Sequence, residues 1–113
     1  MAITQTFKNN MLKLTNFNTE DWSLAADLPD YADTGIKVKA IRFISSGAND
    51  IFIITDSSLT GAEIFHANAN DFAAAAEDHR EEYGSGTWMF PYIDITDCTL
   101  GASASAIVLF ELA

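Results

Sequence analysis

Between Ile36 and Leu112 the sequence keeps returning to short runs of β-branched and aromatic residues, and turn-forming residues separate most of them. That rhythm is what an antiparallel β protein requires, because side chains along a strand alternate between faces and the chain must reverse after a few residues. Ile36–Ile44 is the clearest case: Ile36, Val38 and Ala40 fall on one face, Ile41 and Phe43 on the other. The phase slips by one residue near Ala40, which predicts a bulge there. Ser45–Asp50 is a turn cluster. Ile51–Thr55 reads as a buried strand with Ile53 in the core, and Asp56–Gly61 turns the chain again. Ala62–Ala67 then returns, so these three runs are expected to form a meander.

Trp88–Asp94 reads as a further strand. Pro91 inside it cannot donate to a ladder, which places the strand at an edge or at a bulge. Ala104–Leu112 is the last strand. Phe72–Arg80, with its run of four alanines, predicts one short helix capped by Asn70 or Asp71 and ended by Gly84. Residues 16–35 are turn-rich, with Trp22, Leu24 and Leu28 as anchors to the core. The chain has 113 residues, the size of one domain able to bury its own core. The expected fold is mainly β: an antiparallel β-sandwich or barrel-like domain with one short helix and an N-terminal arm. Residues 1–15 form that arm or a first strand, and residues 16–113 a single β-rich domain.

The formal net charge is −10, and it is unevenly distributed. Residues 1–42 balance five basic against five acidic residues, whereas residues 43–113 set Arg80 alone against eleven acids. Phosphate contacts need Lys and Arg, so the balance argues against nucleic acid or an anionic membrane as partner. It suits solubility or a basic partner surface. Cys98 is the single cysteine, which leaves no intrachain disulfide and reads as a small buried hydrophobe. No signal-peptide pattern opens the chain, so synthesis and folding in a cytoplasm are expected.

No catalytic constellation emerges, and the chain is read as a non-enzyme without cofactor or metal. His66 and His79 have no carboxylate or cysteine at metal-ligand spacing. Asp27, Asp30 and Asp33 lack the alternation and closing Glu of a calcium loop. Glu77/Asp78 and Glu81/Glu82 are adjacent pairs, which diverge on a helix. Ser57 and Ser58 lack a nucleophile elbow. Trp88, Phe90 and Tyr92, spaced by two, share one face of the expected strand and form either half a core or a patch for a partner or a sugar. The N-terminal segment contains Ile3, Phe7, Met11, Leu12 and Leu14 with Lys8 and Lys13 and no acid. Its charge opposes that of the acidic body, so it is expected to serve attachment to an acidic neighbour, with an ordinary first strand as the alternative. The interface candidates are therefore Ile3, Phe7, Lys8, Met11, Leu12, Trp88, Phe90 and Tyr92.

The strand Ile36–Phe43, the run Asp50–Asp56, the Ser58–Gly61 turn, Ala62–Phe65, Phe90–Asp94, Cys98–Leu100 and the final apolar strand together resemble small all-β virion proteins of tailed bacteriophages. The resemblance covers about two-thirds of the chain and carries no catalytic residues; the helix-like stretch at 70–84 departs from it. It implies a non-enzymatic capsid decoration or cement subunit that binds the major capsid protein or another virion protein, assembles as a homo-oligomer and resides in the virion. A tail- or fibre-associated adhesion module, glycan-binding through the aromatic strand, is the alternative.

Overall fold

The computed structural model describes residues 3–8, 10–17, 21–58, 60–102 and 105–113. Among these residues nine strands form two antiparallel sheets: β1 (Thr4–Lys8), β2 (Met11–Thr15), β3 (Trp22–Ser23), β4 (Ile36–Ile44), β5 (Phe52–Asp56), β6 (Glu63–Ala67), β7 (Asp78–Met89), β8 (Pro91–Ile93) and β9 (Ile107–Leu112). The larger sheet has the order β1-β2-β9-β4-β7 and the smaller β3-β8-β5-β6. Alternation turns Leu12, Leu14, Ile36, Val38, Ile41, Phe43, Val108 and Phe110 of the larger sheet inward, all buried. Phe52, Ile54, Phe65, Ala67 and Ile93 of the smaller sheet are buried with them. Aromatic pairs connect the layers: Phe43 stacks on Phe52 at 4.6 Å between ring centres, and Trp22 on Phe110 at 6.3 Å. The mainly β, antiparallel sandwich expected from the sequence is the observed fold.

The bulge expected near Ala40 is present as a register shift between Val38 and Ala40 against both β7 and β9. The meander is not: β5 and β6 pair as a hairpin, but β4 belongs to the other sheet. Residues 45–50 carry the chain across the sandwich, and Asp50 holds that crossing. Its buried carboxylate accepts from the Ser46 amide (2.6 Å), the Ser46 hydroxyl (2.8 Å), the Gly47 amide (3.3 Å) and the Gly101 amide (3.0 Å). Ile53, expected in the core, is only half-buried on the outer face, opposite His66; Phe52 and Ile54 point inward instead.

The alanine run is a loop, not a helix. Asn68 and Asp71 close a capping box around one 3₁₀ turn, Ala69–Asp71, after which Phe72 plunges into the core. The Glu77 carboxylate accepts from the Ala73 and Ala74 amides, and Ser45 donates its hydroxyl to the Ala74 carbonyl. These side chains take the backbone groups that a helix would use, and four alanines are too few to nucleate one against that competition. Among the described residues the single α-helical turn is α1 (Leu24–Asp27), capped by the Ser23 hydroxyl at the Ala26 amide. Trp22 and Leu24 anchor residues 21–35 as expected.

Strands β1 and β2 pair antiparallel, and β2 is an interior strand paired with β9. Trp22 donates its indole N–H to Gln5 Oε1 at 2.9 Å, and Gln5 Nε2 donates to the Asp27 carbonyl, which ties β1 to the smaller sheet's side of the molecule. Leu12 is fully buried, so it is a core residue and not a contact residue.

Candidate functional site

The expected strand Trp88–Asp94 is two strands in two sheets. Pro91 has no N–H, so the ladder of β7 stops at Met89 and β8 starts afresh at Pro91. Phe90 between them donates its amide to Asp56 Oδ1 (3.1 Å) and accepts at its carbonyl from the Ser57 amide (2.7 Å). Trp88 therefore faces outward from the larger sheet, next to buried Met89, while Tyr92 faces outward from the smaller one, between buried Pro91 and Ile93. Trp88, Phe90 and Tyr92 do not share a face, and each enters a different environment.

Trp88 lines the most conspicuous of these. Among the described residues the exposed large hydrophobics are Phe7 (38% exposed), Tyr31 (37%) and Trp88 (62%). All three border one groove of about 320 Å³ at an end of the larger sheet. Phe7 is paired with Leu12 and so turns to the inner face, where it stacks on Tyr31 at 5.4 Å with the rings 12° from parallel. Tyr31 is placed by the 3₁₀ turn Pro29–Tyr31, whose first residue is the proline that favours such a start. Lys37, register partner of Trp88, brings a cation, and Asn10 and Thr34 add polar edges. Gly35 lies in the wall with φ +75°, and a Cβ there would come within 2.7 Å of the Met89 carbonyl oxygen. Only glycine lets the turn approach β7 this closely.

Phe90 lines a smaller hollow of about 240 Å³ with Leu24, Ala25, Ser57 and Pro91. Tyr92 stands among acids: burial first, then the charges of Asp21 and Asp94, raises its phenol above the ordinary value. Asp94 is held low chiefly by hydrogen bonds from the Thr96 hydroxyl and amide. Among the sequence candidates, Ile3 packs half-buried against the core; Lys8 and Met11 face outward from the larger sheet. Comparison with protein-family models, curated proteins and solved structures found no match.

Cys98 is packed behind β5, and burial pushes its thiol up to about 11, which suppresses the nucleophilic thiolate. His79 lies on β7, not on a helix, with Nδ1 3.5 Å from Asp71 and Nε2 3.7 Å from Glu81, and its ring meets Phe65 edge-on. His66 sits on β6, as expected, 3.1 Å from Glu63. Among the described residues no cluster of three or more His, Cys, Asp or Glu could hold a metal ion. Sequence reasoning reached Phe7 and Trp88 but missed Tyr31, Gly35 and Lys37. The one signal was an aromatic residue in a proline-led turn, and nothing local pairs it with Phe7.

Proposed function

We propose that this chain is a structural subunit of a tailed-phage virion, a capsid decoration protein that attaches through the groove of Phe7, Tyr31 and Trp88. The convergence of the exposed aromatics on one groove carries the reading. Exposed aromatic residues gathered in a concave site are the usual anchors of a protein interface. Scattered singly, they would need no explanation. A cement subunit needs such an anchor and a rigid body to hold it; the sandwich supplies the body. The resemblance of the Ile36–Leu112 strand-and-turn pattern to small virion proteins supplies the kind of partner, a shell protein.

A second reading, adhesion to glycans, draws support from Trp88 alone: an open ring face beside Asn10, Thr34 and Lys37 is a platform on which a sugar ring stacks. Co-sedimentation with phage heads from the protein's own host separates the two, alongside binding to an oligosaccharide array. Wild type is expected to pellet with heads to a saturable occupancy. Trp88→Ala and Phe7→Ala should each weaken binding at least about tenfold, while Trp88→Ala moves stability by no more than about 0.5 kcal/mol. Failure to pellet, or undiminished pelleting of Trp88→Ala, overturns the decoration reading. Array binding that depends on Trp88, without binding to heads, replaces it with the adhesion reading.

A further inference from the structure

The outer face of the larger sheet collects every Lys and Arg of the chain. Lys8 and Lys13 alternate with the inward residues of β1 and β2; Lys37 and Arg42 do so on β4, and Arg80 on β7. Lys39 stands exposed at the bulge, near enough to Glu111 to help hold that carboxylate low, an effect led by its hydrogen bonds from Arg80. Among the described residues three acids share this face: Asp78 binds Arg42, while Glu82 and Glu111 bind Arg80. Six cations against three acids leave the face positive by three in a chain whose net charge is −10. Arg42 and Arg80 are thus occupied, whereas Lys8, Lys13, Lys37 and Lys39 form no ion pair with a described residue.

Charged and apolar side chains interleave on this face. Lys13, Leu109, Arg42 and Arg80 form one cross-strand row, and Thr15, Ile107, Ile44 and Asp78 the next. Ile44, Ile107, Leu109 and Met11 are half-buried on the solvent side. A desolvatable centre with charged neighbours has the anatomy of an interface. Twelve of the fifteen described acids lie off this face, and no Lys or Arg does. Asp21, Asp94 and Asp97 group around Tyr92 on the outer side of the smaller sheet, and Glu63 stands exposed on β6 of that sheet.

We infer that the basic outer face of the larger sheet docks on the acidic outer side of the smaller sheet of a second copy of this chain, head to tail. The two surfaces differ, so the contact is heterologous and each copy keeps one free surface of each sign, which propagates into rings or arrays. The net negative charge of each copy opposes approach at long range. At physiological salt that repulsion is screened beyond about 8 Å, and the facing patches decide the contact. The inference does not depend on the groove, because Lys13, Lys39, Glu63 and Asp97 lie outside it.

Sedimentation velocity over a concentration series tests it. Wild type should associate, and the association should weaken as salt rises from about 0.1 to about 0.5 M. Lys13→Gln with Lys39→Gln should raise the dissociation constant about tenfold or more, and Glu63→Lys with Asp97→Lys should do the same. Circular dichroism melts check that both variants fold. Mixed in equal amounts, they should form a capped heterodimer, since each retains the surface the other lacks; a symmetric dimer gives no such rescue. A wild type that stays monomeric at about 1 mM overturns the inference, even if it binds a polyanion such as heparin. So does salt-insensitive association, or a mixture of folded variants that stays monomeric.

Discussion

The two sheets are alike on the inside and opposed on the outside. Both bury aromatic and β-branched residues at every second position, and Phe43 and Phe52 meet ring on ring between them. Outward, the larger sheet presents lysines among half-buried aliphatics, whereas the smaller presents Tyr92, Ile53 and His66 with acids at their borders. Inner faces answer to packing, which any sandwich must satisfy. Outer faces are free of that demand, so a consistent charge difference between them is where the specific character of this chain lies.

The sharpest way to break this contrast is to remove one inner and one outer side chain. Phe110→Ala should cost about 3–5 kcal/mol, because a fully buried ring is lost and the layers cannot close over the space. Ile53→Ala should cost about 1 kcal/mol or less, since only a half-buried outer side chain is trimmed. Urea melts compare them, and equal losses would refute the assignment of faces. A somewhat smaller effect is expected where the chain crosses between sheets. Asp50→Ala leaves the amides of Ser46, Gly47 and Gly101 without their acceptor and should cost about 3 kcal/mol. A loss below about 1 kcal/mol would mean that the crossing does not depend on this carboxylate.

A further effect, somewhat below that of Asp50→Ala, appears only in alkali. Burial, followed by the charges of Asp97, Asp94 and Asp21, raises the Cys98 thiol from 9.0 to about 11. A thiol raised on folding stabilises the protein fully below its unfolded value, and that contribution is lost as pH rises through the folded one. Between pH 9 and about 11 wild type should therefore lose up to about 2–3 kcal/mol relative to Cys98→Ala. Parallel melting curves of the two across that range would show that the thiol ionises freely in the folded protein.

Much of the inner architecture was legible in the sequence. Alternation in Ile36–Ile44 located both the strand and its bulge, because period and phase are local properties. Ile53 was misread for a related reason: a run apolar at every position carries no phase, so neighbours across the sheet decide which side chains turn inward. The alanine run was misread because Ser45, distant in sequence, captures the carbonyl of Ala74. Trp88 and Tyr92 were separated by a change of sheet at Pro91, whose missing N–H was visible but whose consequence depended on Asp56 and Ser57. The groove was only half legible, since the stacking of Tyr31 on Phe7 is a tertiary event between residues of ordinary local sequence.

The position of β9 has a consequence for how the molecule comes into being. It lies between β2 and β4, pairing Met11 with Glu111 and Ile41 with Phe110, although it is the last strand in chain order. On the ribosome, β2 must wait without its interior partner until residues 107–112 have emerged, while the β5–β6 hairpin closes among near neighbours. Such non-local pairing makes for slow folding and leaves strand edges open to other chains in the meantime. Completion of the larger sheet thus waits on β9, and its outer face does not exist as a surface until residues 107–112 have joined β2 and β4.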